Sequence, residues 1–179
     1  MNNLLTEPYP GLADAICARV GFRGIDGWVK NLADYLSLPF TTFLPEQLVR
    51  SHSCRLDAIG VTLTFKHPHA DYATEGDKSR WFLSDVVISY DPAARAQWLL
   101  PAPFQLDTEN DSLNQAVAKL SDDYTPLTNA RIAEGDRRQS FFLDNPQVVE
   151  ITWREGMVGI EQIRVGHMGT EQDFILPAG

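Results

Sequence analysis

Two short stretches of this chain share one strand-like pattern, and each follows an apolar helical segment. "GVTLTFK" at 60–66 and "VVEITWR" at 148–154 alternate apolar side chains with small or polar ones, which is the period of a strand with one buried face. The helical segments are "WVKNLADYLSLP" and "SLNQAVAKLSDDYTP". Because one helix with a hairpin has too small an apolar face to stand alone, we predict two such units packed together.

Two further blocks follow in the same order in each half: "LSDVVISY" corresponds to "IEQIRVGH", and "WLLP" corresponds to "FILP". The matched strand positions are Leu83, Val86, Ile88 and Tyr90 against Ile160, Ile163, Val165 and His167. Chance is the alternative, because one helix followed by a hairpin resembles any other. We expect an α+β fold of two similar helix-plus-antiparallel-meander modules, residues 1–100 and 101–179, in one compact domain.

Local signals place helices and strands along the chain. Helices are expected at about 10–20, after Asp26, and after Asp111 or Ser112, whose side chains can cap a helix. Strands are expected at 56–65, 81–90, 139–143, 148–154 and 159–166. The polar segment 66–78 predicts a long hairpin loop, and the proline-rich stretch that follows the second strand predicts the seam between the halves.

Charge and composition exclude several classes of function. The chain has 15 basic and 24 acidic residues, a net charge of −9, so it repels nucleic acid and anionic lipid. Residues 101–179 contain 6 basic and 13 acidic residues, a sum of −7, against 9 and 11, a sum of −2, in residues 1–100. The start lacks a secretory pattern, and no stretch is long and apolar enough to span a membrane, so we expect a cytoplasmic protein.

Cysteines and histidines give weak indications of chemistry. Cys17 and Cys54 lack paired spacing and are expected to be buried, reduced thiols. His67, His69 and Asp71 are a ligand set that zinc or nickel uses. They lie in a predicted loop, however, without a third ligand on a rigid element, so a solvated hairpin loop is the preferred interpretation and metal binding stays open.

The segment "DTENDS" places Asp107, Glu109 and Asp111 at alternate positions, as at the start of a calcium loop. An EF-hand loop needs glycine at its sixth position and glutamate at its twelfth, where this chain has Ser112 and Ala118. Two interpretations remain. The carboxylates stabilise the N-terminus of the next helix, or they form an acidic contact patch, joined by two aspartates at the other end of that helix, Asp122 and Asp123.

No catalytic motif is evident. A triad from Ser51, His52 and Asp57, or a Ser53–Cys54 nucleophile, lacks the glycine-rich elbow, and sequence neighbours seldom assemble such geometry. Phosphate-binding glycine loops are absent as well. We therefore predict no catalytic residue and no cofactor, and we assign no metal site, although metal binding by His67, His69 and Asp71 stays open. Trp28, Trp81 and Trp153 lie in periodic apolar patterns and are assigned to the core, whereas Trp98 is a candidate for partner contact.

The chain has an apolar helix that ends near a proline, followed by polar residues and a strand meander. This order of elements resembles that of small α+β immunity proteins encoded beside bacterial toxins, including the pyocin type. The helix-then-meander order is also loosely similar to that of outer-membrane assembly lipoproteins, although this chain lacks their lipoprotein signal and cysteine. The resemblance spans about 26–177 and carries no active-site pattern. It implies a cytoplasmic antidote, monomer or homodimer, that binds a cognate protein toxin and blocks it.

The contact residues expected for such an antidote are Asp107, Glu109, Asp111, Asp122, Asp123 and Trp98, with a further acidic candidate around Glu134 and Asp136. A carboxylate-rich surface complements the basic cleft of a toxin that cuts nucleic acid. One alternative is an acidic secretion chaperone or adaptor, which predicts a dimer and a hydrophobic patch for an effector. Another is a small-molecule enzyme, which needs a pocket with perturbed titratable groups.

Overall fold

The protein is built around one antiparallel sheet with helices on one face. A computed structural model describes residues 11–47, 49–67, 81–91, 99–120, 124–126, 137–143 and 147–167. The helices are α1 (Leu12–Cys17), α2 (Asp26–Leu36) and α3 (Leu113–Leu120). The strands are β1 (Ser51–Leu56), β2 (Val61–Lys66), β3 (Phe82–Ser89), β4 (Tyr124–Pro126), β5 (Arg138–Leu143), β6 (Gln147–Trp153) and β7 (Ile160–His167).

Strand order joins the two halves of the chain in one sheet. The order is β1-β2-β3-β7-β6-β5-β4, and every neighbouring pair is antiparallel. Strands β1 to β3 form one meander and β4 to β7 form another. The last strands of the two meanders, β3 and β7, pair with each other at the centre. The predicted α+β class and the antiparallel meander of the second half are confirmed.

The two central hairpins have the same pairing pattern. Facing pairs in β2–β3 are Val61–Ile88, Leu63–Val86 and Phe65–Leu83, and those in β6–β7 are Val149–Val165, Ile151–Ile163 and Trp153–Ile160. All twelve of these side chains are buried. The alternating apolar residues of both predicted strand patterns therefore lie on one face of the sheet.

Each of these hairpins also contains an irregularity at one point. The register shifts after Thr64 in β2 and after Thr152 in β6. One additional residue lies on the neighbouring strand at each shift, Ser84 in β3 and Glu161 in β7. Such bulges bend a strand and increase its twist, so the two hairpins are shaped in the same way.

The hydrophobic core lies between this sheet face and the helices. Its largest fully buried side chains are Trp81, Trp153, Tyr90, Phe43, Phe65 and Phe141. Trp28 packs against the same core and is partly buried. The core assignment of Trp81 and Trp153 is therefore confirmed. Burial of such aromatic side chains contributes a large share of the apolar area removed from water.

Helix boundaries differ in detail from the expected ones. Helix α1 ends at Cys17 rather than near residue 20, because Val20 leaves the helix and bridges to Leu83 of β3. Asp26 is the first residue of α2 and does not cap it, since no side-chain bond is made at the cap position. The predicted start of α3 is confirmed. The Ser112 backbone N–H and hydroxyl both donate to Gln115 Oε1, at 2.8 and 2.7 Å, and the first of these bonds is one half of a capping box.

Two strands were not predicted. Strand β1 has only two buried residues, Cys54 and Leu56, both near its end. The strand expected at 56–65 is also divided, because a 3-10 turn at Asp57–Ile59 and the left-handed backbone of Gly60 (φ 68°) reverse the chain. Strand β4 has three residues. Pairing with the neighbouring strands β2 and β5, rather than local pattern, makes both segments strands.

Candidate functional site

The acidic segment 107–111 is a compact loop before helix α3. The Asp107 carboxylate accepts from the backbone N–H groups of Glu109 and Asn110, at 2.9 and 3.1 Å, and from the Asn110 side chain at 2.9 Å. The Asn110 amide and then the Glu109 N–H hold the pKa of Asp107 below its usual value. The Asp111 N–H closes the loop by donating to the Asp107 carbonyl at 3.1 Å. Asp107 thus stabilises the loop itself.

Asp111 lies inside the protein. Its residue surface is 3% exposed, and its two carboxylate oxygens accept from Lys119 Nζ at 2.9 and 2.8 Å. One of them also accepts from the Asp107 N–H at 2.7 Å. A buried carboxylate needs such partners. Asp111 therefore anchors the loop to α3 and is covered from solvent, unlike Asp107 and Glu109, which are exposed.

Glu109 is paired with an arginine from the second meander. Arg154 donates from Nη1 to Oε2 at 2.7 Å and from Nη2 to Oε1 at 2.9 Å, the two-point geometry that an arginine forms with a carboxylate. This pair lowers the pKa of Glu109 and raises the pKa of Arg154. The Glu109 side chain stays 66% exposed. The negative charge at this position is therefore partly balanced by a residue 45 positions away, which the sequence pattern did not indicate.

Backbone contacts fasten the acidic loop to the turn between β6 and β7. The Ile160 N–H donates to the Thr108 carbonyl at 2.7 Å, and the Gly159 N–H donates to the Asp111 carbonyl at 3.2 Å. Gly159 has a left-handed backbone (φ +78°), and a Cβ atom there would lie 3.0 Å from the Thr108 carbonyl oxygen. Only glycine allows this close approach, so the loop has a defined position on the sheet.

Several predicted candidates lie outside the described residues: Asp122, Asp123, Trp98, His69, Asp71, Glu134 and Asp136. His67 is described, and it is 1% exposed with its ring edge-on to Trp81, at a centroid distance of 5.3 Å. The expectation of a solvated loop is therefore wrong at this first residue of the histidine motif. Across the described ranges, no group of three or more His, Cys, Asp or Glu residues could hold a metal ion.

The residues considered as nucleophiles are distributed over both faces of β1. Ser53 is exposed and its Oγ lies 3.0 Å from Thr64 Oγ1, whereas Cys54 is buried. Burial raises the pKa of Cys54 to about 11 and that of Cys17 to about 12. Both thiols are free, so the prediction of buried, reduced cysteines is confirmed. Such thiols contain almost no thiolate at neutral pH.

No helix or strand of the described ranges covers the sheet face opposite the core, which sequence reasoning did not identify and which we call the uncovered face. Its side chains fall in two rows across the strands. One row is Ser53, Thr64, Asp85, Gly166, Val148 and Phe142, and the other is Arg55, Thr62, Val87, Arg164, Glu150 and Ser140. Except for the buried Gly166, all are half-buried or exposed. Strand alternation places polar residues on one face, but only the strand order makes that face continuous.

An ion pair occupies the centre of this uncovered face. Arg164 donates from Nε and Nη2 to Asp85 Oδ1 at 3.0 and 2.6 Å. The Ser84 hydroxyl donates to the other Asp85 oxygen at 2.9 Å, and Glu150 lies directly opposite Arg164 on β6. Beside the pair, a Cβ at Gly166 would lie 3.0 Å from Asp85 Oδ1. The centre is thus polar and internally paired.

Comparison with known proteins gives no identity: no family model, no curated protein and no solved structure matches this chain. Within the ranges that the structure describes, no helix is long and apolar enough to cross a membrane. A functional assignment therefore depends on the surfaces described above.

Proposed function

We propose that this chain is a non-catalytic protein-binding protein, a cytoplasmic antidote that neutralises a cognate bacterial toxin. The observation that carries the proposal is the uncovered sheet face. Six strands of six to eight residues, spaced about 4.8 Å apart and rising about 3.3 Å per residue, make a surface of roughly 25 by 20 Å. This plane of about 500 Å² is more than half of the ~800 Å² that each partner buries in a standard interface.

The composition of this face suits a protein partner. Its polar residues are interrupted by three apolar side chains that remain partly exposed, Val87, Val148 and Phe142. Apolar anchors surrounded by polar groups are typical of protein interfaces, where a few desolvated contacts supply most of the affinity. The paired Asp85 and Arg164 at the centre supply directional polar contacts, so the face combines anchoring with specificity.

The acidic charge of the chain favours a basic partner. Its net charge of −9 raises the association rate with a positively charged toxin domain. Of the acidic residues proposed for direct contact, Asp107 and Glu109 are exposed on a loop that the β6–β7 turn holds in place. A fixed loop loses little conformational entropy on binding. We propose these two carboxylates as a second contact, at the β6–β7 turn, and Asp111 supports the loop by accepting from the Asp107 N–H.

We also infer that the two halves are copies of one module. The proposal is supported by the equivalent facing pairs of β2–β3 and β6–β7 and by the bulges at Ser84 and Glu161. The shared order of helix and strands in the sequence supports it as well. The approximate twofold axis would pass through the facing pair Val87–Arg164. Duplication explains how a helix with a small meander gained a second apolar sheet to complete its core.

Affinity purification of the chain from its native cell, washed in high salt, tests the proposal. We expect a stoichiometric toxin-domain protein to be retained, and the chain to protect growth when that protein is expressed. A Val148→Arg variant places a charge on the uncovered face, and Asn114→Arg places the same charge on an exposed position of α3. Capture and protection should fall at least about tenfold for the first variant alone.

Three results would contradict the proposal. If no protein partner is recovered, protein binding is excluded as the function of this chain. A small molecule retained by the purified chain would favour an enzyme. Equal capture by the Val148→Arg and Asn114→Arg variants would exclude the uncovered sheet face as the contact surface.

A further inference from the structure

The turn from Pro103 to Leu106 contains two consecutive residues with a left-handed backbone. Phe104 has φ 62° and Gln105 has φ 57°. The Leu106 N–H donates to the Pro103 carbonyl at 3.3 Å across them. A turn with positive φ at both central residues normally contains Asn or Gly there, because a Cβ atom crowds the backbone in this conformation. Each of the two residues therefore disfavours the turn by a factor of about 5–30.

The architecture of the protein does not require this conformation. Ser37, which also has a positive φ of 55°, follows the last residue of α2, and the Leu38 N–H donates to the Ala33 carbonyl at 2.9 Å, as is usual at the end of a helix. In the described ranges, Phe104 and Gln105 neither end an α-helix nor join two paired strands. Strain of this kind is characteristic of segments that switch conformation.

Buried residues anchor the two ends of the turn, whereas its centre lies at the surface. Pro103 and Leu106 are both buried. The Phe104 N–H donates at 2.9 Å to Oδ1 of Asp14, an exposed residue of α1. The Phe104 ring packs against the core and is half-buried, and Gln105 is exposed. The central residues can therefore change conformation while both ends stay in place.

The turn directly precedes the acidic loop 107–111. It lies against α1 and α3, and the loop after it is held separately by the β6–β7 turn through the bond from Ile160 to Thr108. A change within the turn therefore leaves the loop where it is. The Phe104 ring would then move beside a stationary group of carboxylates.

We propose that the turn from Pro103 to Leu106 is a conformational latch that opens while the sheet stays folded. In the closed form, which the structure shows, the Phe104 ring lies against the core. In the open form Phe104 and Gln105 take negative φ values, and the ring turns to the solvent beside the acidic loop. The anchored ends serve as hinges. An apolar ring next to the exposed Asp107 is an anchor that a protein partner can use, and this last consequence alone rests on the proposed function.

Hydrogen exchange of backbone amides in the full chain, followed by nuclear magnetic resonance at urea concentrations below the unfolding transition, measures the opening. The reporters are the N–H groups of Phe104 and Leu106, which donate within the closed form. We expect their exchange to be almost independent of urea, because a local opening exposes little surface. Exchange of the paired amides of β3 and β7 should rise steeply with urea, since it requires global unfolding.

Two substitutions at the exposed Gln105 separate strain from other effects. Gln105→Gly relieves the backbone strain of the closed form and should slow exchange of the reporter amides by about 3–10-fold, since the freedom of glycine in the open form offsets part of the gain. Gln105→Ala is the matched control. It shortens the same side chain and keeps the backbone cost, so exchange should stay near that of the wild type.

A third variant shows whether the ring leaves the core. Phe104→Ala removes the half-buried ring, whose packing stabilises only the closed form if the ring turns to the solvent on opening. Exchange of the Leu106 amide should then become about tenfold faster. If the ring stayed packed in the open form, the substitution would affect both forms equally and the opening equilibrium would not change.

Three results would overturn the latch. The reporter amides could follow the same urea dependence as those of β3 and β7, the two Gln105 variants could exchange equally fast, or Phe104→Ala could leave exchange unchanged. All three measurements use the chain without a partner. Failure of the latch is therefore distinguishable from failure of the proposed antidote function, which partner capture measures.

Discussion

Replacing Gly159 with alanine should loosen the acidic loop by acting on the turn that holds it. Gly159 is buried and has a left-handed backbone, with φ +78°, a conformation that costs other residues about 1–2 kcal/mol. The added Cβ would also lie 3.0 Å from the Thr108 carbonyl oxygen and 3.2 Å from that of Glu109. Relief of this crowding requires the loop to move away from the turn.

The expected loss of stability is the sum of the backbone cost and the cost of one lost hydrogen bond. Movement of the loop lengthens the 2.7 Å hydrogen bond from Ile160 to Thr108, whose loss costs about 1 kcal/mol. Gly159→Ala should therefore lower the free energy of unfolding by about 2–3 kcal/mol. Gly156 is the matched control: it has φ +86° in the same turn, but nothing lies within 4 Å of its added Cβ. Gly156→Ala should cost only the backbone contribution of about 1–2 kcal/mol.

Urea unfolding of the two variants and the wild type, followed by tryptophan fluorescence, measures the difference. An additional loss of about 1 kcal/mol for Gly159→Ala relative to Gly156→Ala is expected. Equal losses would show that the loop does not press on the turn. The reasoning that Gly159 fixes the position of the acidic loop would then be refuted.

Three further predictions follow from the same structure. Glu109→Gln removes a carboxylate whose pKa the Arg154 hydrogen bonds hold below its usual value. The stability that this carboxylate contributes is present above its unfolded pKa and is lost as pH falls through its folded pKa, so variant and wild type should converge in stability in acid. Cys17 and Cys54 should resist a thiol reagent at pH 8 until urea unfolds the chain, and rapid native labelling would contradict their burial. Leu63→Ala and Ile151→Ala, at corresponding fully buried positions, should each cost about 2–5 kcal/mol in urea unfolding, and a negligible loss at either would contradict its place in the core.

Local sequence patterns predicted those strands and helices whose positions depend mainly on their own side chains. The strands around Val86, Ile151 and Ile163 are rich in β-branched apolar residues with partial alternation, and Ser112 is followed three positions later by a glutamine. These signals depend on residues a few positions apart, which the backbone geometry of a strand or helix brings together. They could therefore be read without knowledge of the rest of the chain.

The proposed contact site was only partly predictable. Asp107 and Glu109 were selected for their acidity, but alternation in sequence could not show that Asp111 turns inward to Lys119. It also could not show that Arg154, in the turn between β6 and β7, pairs with Glu109. Charges far apart in sequence meet only through folding, so their pairing depends on the register of the strands.

The sequence by itself determined the α+β class, the apolar face of the main strands and the burial of the two thiols, because short-range periodicity and residue type control these properties. Tertiary structure alone decided that β3 and β7 join the two meanders, that 51–56 is a strand, and that no described helix covers the second face of the sheet. These features depend on hydrogen bonds between segments that are distant in sequence, and no local pattern specifies which strand edges pair.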